Sequence, residues 1–200
     1  PLDPVRYISN RSSGKMGYAL ARAAIRRGAE VALVSGPTAL DPPVGARFIA
    51  VLTAAEMRDA VLKEYAQCTA VIMAAAVSDY HVGEISNRKI KRGKNAFELR
   101  LEPNPDILKE LGQNKNGKWL VGFAAETEEL TANAQKKLRE KNLDMVVANN
   151  VAEAGSGFDG DTNAATIVDR TGAARSFPLM SKDELADRIY DHFLALKSPR

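Results

Sequence analysis

Cysteine is nearly absent from this chain: Cys68 is the single one among 200 residues. One thiol cannot close an internal disulfide, and with two histidines to join it a zinc site is not expected. Cys68 stands just before an apolar run, where it reads as a small packing residue. Without a disulfide framework the chain suits a reducing compartment, so a cytoplasmic location is expected. Long hydrophobic runs are missing too. None approaches the roughly 18 residues that suggest a membrane span, and no membrane partner is expected. The opening residues Pro1-Leu2-Asp3-Pro4-Val5-Arg6 lack the basic and then apolar regions of a signal peptide. Excess charge is small: 28 Lys and Arg against 25 Asp and Glu give +3, which argues against a nucleic-acid partner.

What is present is an ordinary globular composition, 45% hydrophobic and 26% charged. Two hundred residues suit a single domain, 1–200, with a sizeable core. Strand-like and helix-like segments alternate. Gly14 to Gly28 reads as a helix with Tyr18, Ala21 and Ile25 on one side and Gly28 as its stop. Glu30 to Ser35 is a short strand and Arg47 to Leu52 a second. Ala54 to Gln67 is a helix with Thr53 as N-cap and Glu56 completing a capping box. The continuous apolar run Thr69 to Val77 fits a central parallel strand covered on both faces. Ala96 to Leu101 is expected as a strand, Pro105 to Gln113 as a helix and Trp119 to Ala124 as a buried strand. Thr127 to Asn142 follows as a long polar helix and Leu143 to Ala148 as a strand. The pattern then changes. Ala164 to Asp169 and Ala174 to Leu179, separated by Arg170 to Ala173, predict a β-hairpin. Ser181 caps a last helix carrying Leu185, Ile189, Phe193 and Leu196 on its core side. The expected fold is α/β: a doubly wound, mostly parallel Rossmann-like sheet with an added β-hairpin. The helix at Gly14 should follow a strand, and only Val5 to Ile8 precede it. An upstream strand is therefore expected outside this sequence.

In an open parallel sheet, ligands bind beyond the carboxyl ends of the strands. Those ends carry Ser35-Gly36, Ala74-Ala75-Ala76-Val77-Ser78-Asp79, Phe123-Ala124-Ala125-Glu126-Thr127 and Ala148-Asn149-Asn150. Their small residues let a ligand approach the backbone, so a nucleotide site is expected there. Asn10 to Gly17 opens the first helix, whose free N–H groups and dipole favour an anion. It is not a Walker loop, because Ser9 stands where the first Gly is required and Met16 follows the lysine. Nor is it a dinucleotide fingerprint, because Ser12 occupies the leading Gly position. An ordinary capped turn is the competing reading. Lys137 and Lys141 share one helix face by their spacing. They are either a solvated pair or, if the helix leans across the site, triphosphate ligands. Asp79 and Lys89 bracket a polar loop; a carboxylate can hold a ribose hydroxyl or a metal, and a lysine can neutralise phosphate. The basic stretch Arg88-Lys89-Ile90-Lys91-Arg92 with Lys94 is either a solvated loop or a site for a compact polyanion.

Taken in order, several motifs resemble the phosphopantothenoylcysteine synthetases, the carboxyl-terminal half of the bifunctional bacterial coenzyme A biosynthesis proteins. They are Asp3 to Asn10 running into Ser12 to Gly17, Ala74 to Asp79, Lys89-Ile90-Lys91, Asn104 to Leu108, Val121 to Thr127 and Lys141 to Asp144. The match covers nearly the whole chain. The resemblance implies a ligase that joins L-cysteine to 4′-phosphopantothenate through an acyl-cytidylate, converting CTP to CMP and pyrophosphate. It implies CTP contacts at Ala75, Asp79, Lys89, Pro105, Asp106, Ile107, Leu108, Phe123, Lys137 and Lys141, and catalytic roles for Asn10, Lys89 and Arg6. Mg²⁺ is implied as cofactor, held largely by the CTP phosphates, with Asp79 as a further ligand. A homodimer using the β-hairpin is implied as well, with the acyl site near the subunit interface. The Gly-Gly-Thr segment and the flavin-dependent decarboxylase domain of the family do not occur in this sequence. The first strand is thus expected upstream, and no flavin is expected here. The residues alone do not separate CTP from ATP. An NAD(P)-dependent Rossmann oxidoreductase and a non-catalytic nucleotide-binding module are the alternatives.

Overall fold

Apolar runs punctuated by Gly, Pro and polar caps form five helices and nine strands among the residues that this computed structural model describes, 1–93, 96–126, 129–150 and 160–197. In chain order they are α1 (Lys15–Arg26), β1 (Val31–Ser35), β2 (Ala46–Ala50), α2 (Ala54–Tyr65), β3 (Ala70–Met73), β4 (Tyr80–Val82) and β5 (Leu101–Pro103). Then follow α3 (Ile107–Gln113), β6 (Trp119–Glu126), α4 (Leu130–Glu140), β7 (Met145–Asn150), β8 (Thr162–Asp169), β9 (Ala174–Ser181) and α5 (Lys182–Lys197). Local signals act where they were read. Thr53 Oγ1 accepts the Glu56 N–H at 3.1 Å, while Glu56 Oε2 accepts the Leu52 N–H at 2.8 Å. The box thus closes one residue earlier than its usual N-cap partner. Ser181 Oγ accepts the Glu184 N–H at 3.1 Å and caps α5.

The main sheet has the order β3-β6-β7-β8-β9, with β3, β6 and β7 parallel and the β8–β9 hairpin antiparallel. This is the expected doubly wound α/β fold with its hairpin. Two differences stand out. β1 and β2 form a separate parallel pair, and β4 with β5 forms a short antiparallel ribbon. The run Thr69 to Val77 is a strand only over Ala70–Met73, because the three alanines that follow have low strand propensity and peel away at the ligand end. The strand expected at Ala96 to Leu101 forms instead at Leu101–Pro103, where its partner Tyr80–Val82 is available. Thr127 and Lys94 lie outside the described residues.

Burial on both faces explains the continuous apolar strands. Along β7, Met145 and Val147 face α1 and α5, packing with Leu20, Leu185 and Ile189. Val146 and Ala148 face the other way, toward Ile107, Leu111 and Ala134. At Gly112 of α3 a Cβ would lie 2.0 Å from the Lys141 carbonyl oxygen, so only glycine permits this approach. One buried carboxylate pins three segments. Asp144, 1% exposed, accepts the Leu120 N–H at 2.8 Å and pairs with Lys115 at 2.9 Å and Arg170 at 3.1 Å. No described helix is long and apolar enough to cross a membrane.

Candidate active site

The ligand ends of β3 and β6, the first turn of α1 and the entrance to α3 meet around one cavity of about 1900 Å³. The loop leaving β3 is stapled to the α3 entrance by Asn104. Its backbone N–H donates to the Asp79 carbonyl at 2.8 Å and its amide to the Ser78 carbonyl at 2.9 Å. Asn10 comes in from the other side, its amide donating to the Val77 carbonyl at 3.3 Å. Asn10, Ala75, Asp79, Pro105, Phe123 and Lys137 all line this cavity. Ala75 and Asp79 are exposed to it and not packed into the core.

Both readings of the Asn10 to Gly17 segment, anion site and capped turn, concern the first turn of α1. Gly14 holds φ +75° and has no side chain with which to cap the helix, and the first turn carries no acid. The turn is therefore left with its positive end toward the cavity wall that Asn10 to Tyr18 form. Gly14 is required twice over: the left-handed φ disfavours any side chain, and a Cβ would sit 2.7 Å from Thr38 Cγ2. Lys15 pairs with Asp161 at 2.7 Å, and this hydrogen bond holds the Asp161 carboxyl below its ordinary range.

Side-chain reach brings Lys137 to the cavity wall, whereas Lys141 reaches back only to Asp106. Lys137 Nζ donates to the Phe123 carbonyl at 2.5 Å, on the cavity wall. Lys141 has its backbone beside Gly112, at the far end of α3, yet its Nζ pairs with the Asp106 carboxylate at 2.8 Å. Asp106 also caps α3 by accepting the Lys109 N–H at 3.0 Å. Partial burial works against the Asp106 charge, but the hydrogen bonds from Lys141 and the Lys109 N–H outweigh it and lower its pKa. Ile107 and Leu108 are 2% and 5% exposed and belong to the core, so only their backbone can meet a ligand.

Arg6 and Lys89 come together by a different device. Asp3, 3% exposed, accepts the Val5, Arg6 and Ile90 N–H groups and the Arg6 guanidinium, which contacts it at 2.6 Å. Arg6 also donates to the Ile90 carbonyl at 2.9 Å. The bond from Arg6 holds the Asp3 carboxyl far below the usual carboxylate range. This clasp fixes the arm beside Lys89, which is exposed and unpaired among the described residues. Neither Arg6 nor Lys89 lines the cavity, and neither do Asp106, Ile107, Leu108 and Lys141.

Sequence reasoning passed over two polar residues on the cavity wall, Asn163 and Lys182, and named Asn149 only as part of a strand end. Asn163 and Lys182 are 2% and 6% exposed. Asn149 Oδ1 is a buried acceptor without a hydrogen bond among the described residues, an arrangement that folded proteins rarely leave unused. Its position at the end of β7 was the available signal.

Residues 1–196 match the family described as the DNA/pantothenate metabolism flavoprotein C-terminal domain. The chain is 48% identical over 196 residues to the coenzyme A biosynthesis bifunctional protein CoaBC of Bacillus subtilis strain 168, covering 98% of this chain and 48% of that protein. It is 46% identical over 198 residues to a protein of an unknown prokaryotic organism named cysteine/cysteine sulfinic acid decarboxylase, covering 98% and 55%. The crystal structure of the C-terminal domain of a coenzyme A biosynthesis bifunctional protein CoaBC superposes with a TM-score of 0.83 at 40% identity, covering 98% of this chain and 88% of that one. The chain thus spans about half the length of the curated relatives it matches.

Proposed function

Because this chain belongs to the DNA/pantothenate metabolism flavoprotein C-terminal domain family, we propose that it is the ligase domain that joins L-cysteine to 4′-phosphopantothenate, with CTP activating the carboxylate. The observation that carries this reading is one cavity lined by Asn10, the Ala75 to Asp79 loop, Phe123 and Lys137, with the amino-terminal end of α1 on its wall. A carboxylate attacking an α-phosphate brings anion to anion, so the protein's task is charge neutralisation and alignment. Lys137 and the α1 terminus supply positive potential, and Lys89 is carried on the adjoining loop held by the Asp3 clasp. Among the described residues no three His, Cys, Asp or Glu converge as a metal cage. Mg²⁺ would be bound mainly through the nucleotide phosphates, where it would offset their charge, with Asp79 as a carboxylate on the cavity wall. In the second half-reaction the cysteine amine attacks the activated carbonyl. Asn10 then gives up its long bond to the Val77 carbonyl and donates to the oxyanion.

We place the reaction in the cytoplasm, with a homodimer as the working form. We assign flavin to the half of the relatives that this chain does not span. Exposed apolar side chains gather on the arm and ribbon, at Val5, Tyr7, Tyr80, Ile85, Phe97 and Leu101. That favours the β4–β5 ribbon over the β8–β9 hairpin as the dimer surface. The oxidoreductase and binding-module alternatives are not favoured by the family. The decarboxylase name of one relative gives the test a second arm. Pyrophosphate release should require both phosphopantothenate and CTP, with ATP the weaker substrate, and no carbon dioxide should form from cysteine. Lys89→Gln should block pyrophosphate release. Asn10→Asp should still release pyrophosphate but make no amide. Equal loss of both steps in both variants would sink this division of roles.

A further inference from the structure

We infer that the amino-terminal ends of α1 and α5, with the adjoining ends of β7 and β8, form the subsite for an α-amino acid. Lys182 takes its carboxylate, and Asn149 Oδ1 accepts a hydrogen bond from its amine. Naming that amino acid L-cysteine rests on the ligase reading of the cavity.

Strand alternation gathers these groups on one face of the sheet. Met145 and Val147 of β7 pack on α1 and α5, and Asn149 is the next residue in that alternate series. It pairs with Ala165 of β8, which joins the same core, and with Ala125 of β6, which lines the cavity. Asn163 stands two residues before Ala165 and pairs with Met180 across the hairpin. The N–H of Lys182, the first residue of α5, donates to the Asp161 carbonyl at 3.0 Å. The Asp161 carboxylate meets the ammonium of Lys15, the first residue of α1, at 2.7 Å. One residue thus ties the starts of both helices together. Lys15, Asn149, Asn163 and Lys182 all line the cavity.

Two of these groups are costly to the fold. A lysine at the first position of a helix sets a cation against the positive end of the helix dipole. Lys182 is also almost wholly buried, which opposes its charge a second time. Asn149 Oδ1 is buried without a hydrogen bond among the described residues. Apolar side chains at both positions would serve stability better. A ligand that brings a carboxylate to Lys182 and an N–H to Asn149 offsets both costs at once.

The same features select the ligand class. The hydrogen bond from Lys15 does most to hold the Asp161 carboxyl below its ordinary range, and the Lys182 charge adds to it. Lys15, Asp161 and Lys182 together carry a single excess positive charge, which balances one carboxylate and falls short of a triphosphate. Asn149 Oδ1 would repel a phosphate oxygen but suits the N–H of an amine. An α-amino acid carries both groups on one carbon. Met16 and Phe123 pack against the same core and line the cavity, offering an apolar, polarisable wall to a short thiol side chain. With Ala125 beside Asn149, the amine stands at the edge of the nucleotide crevice, where attack on an activated carboxylate needs it.

The test compares L-cysteine with cysteamine, which lacks the carboxylate, on the parent chain, Lys182→Met and Asn149→Leu. In calorimetric titrations the parent should bind cysteine at least about tenfold more tightly than cysteamine, the size of one charge-assisted hydrogen bond. Lys182→Met should lose that preference. Asn149→Leu should bind both amines about tenfold more weakly, with a urea midpoint equal to the parent's or higher, because a buried unsatisfied acceptor is removed. In turnover, the KM for cysteine should rise by similar factors while the KM for CTP moves less than about twofold. A parent without the preference, or a Lys182→Met that keeps it, overturns the subsite. So does an Asn149→Leu that loses stability and no amine affinity, or a rise confined to the KM for CTP. The expected binding pattern without pyrophosphate release from CTP and phosphopantothenate overturns the ligase reading and not the subsite. Pyrophosphate release by a parent that treats the two amines alike overturns the subsite and not the ligase reading.

Discussion

Replacing Gly14 by alanine separates two costs that the structure places on one atom. The φ of +75° must be kept for α1 to start where it does, and a side chain there costs about 1–2 kcal/mol. The added Cβ also lies 2.7 Å from Thr38 Cγ2, a short and half-buried side chain with little freedom to withdraw. Overpacking of this kind costs about 1–3 kcal/mol. The sum is about 2–5 kcal/mol, which lowers the melting temperature of a 200-residue domain by about 4–20 °C. Thr38→Ser makes the decomposition measurable. It deletes the offending methyl and keeps Oγ1, which donates to Tyr18 Oη at 3.1 Å and accepts the Leu40 N–H at 3.3 Å. Alone it should cost less than about 0.8 kcal/mol, the value of one buried methylene. In the double variant the steric share of about 1–3 kcal/mol returns and the conformational share stays. Urea unfolding of the four proteins gives the coupling directly. A neutral Gly14→Ala, or a double variant no better than the single one, would refute the reasoning.

Three further perturbations have definite signs. Asp144→Ala leaves Lys115 and the Leu120 N–H without their partner and should cost about 3 kcal/mol; Asp144→Asn should lose about half as much, read by urea midpoint. Gly112→Ala drives a Cβ into the Lys141 carbonyl and should cost about 2–3 kcal/mol while raising the KM for CTP, because the Lys141–Asp106 pair shifts with it. Asp3→Asn tests the arm through pH. The folded pKa of Asp3 is depressed, so its stabilisation is complete above the ordinary carboxylate value near 4 and fades as pH falls through the folded one. The melting-temperature gap between parent and Asp3→Asn should be widest at about pH 6 and shrink below about pH 4; a gap constant down to about pH 2 would contradict the clasp.

Elements that bury both faces or carry their own caps were readable in advance. The Thr53 box, the Ser181 cap and the continuous apolar run of β6 and β7 depend on residues within a few positions of each other. β4 was not readable, because two exposed residues and one buried valine acquire strand geometry only from their pairing with Leu101–Pro103. Of the site, the strand-end residues Ala75, Asp79 and Phe123 follow from topology alone. The reach of Lys137 and Lys141 back along α4 did not, since spacing fixes a helix face and not a side-chain conformation. Asn163 and Lys182 were invisible because only the folding of the hairpin and α5 onto α1 buries them.

The pairing of β1 with β2 alone also bears on how the molecule comes apart. Among the described residues no ladder joins that pair to the main sheet. Besides apolar contacts, this corner is held by α2, through the Arg58–Glu110 pair and the Tyr65 hydroxyl on the Lys115 carbonyl. It is a separate cooperative unit, and heat should loosen Val31 to Tyr65 before the β6–β7–β8 core gives way. Calorimetry on these 200 residues should then return a van't Hoff enthalpy below the calorimetric one, the mark of melting in stages.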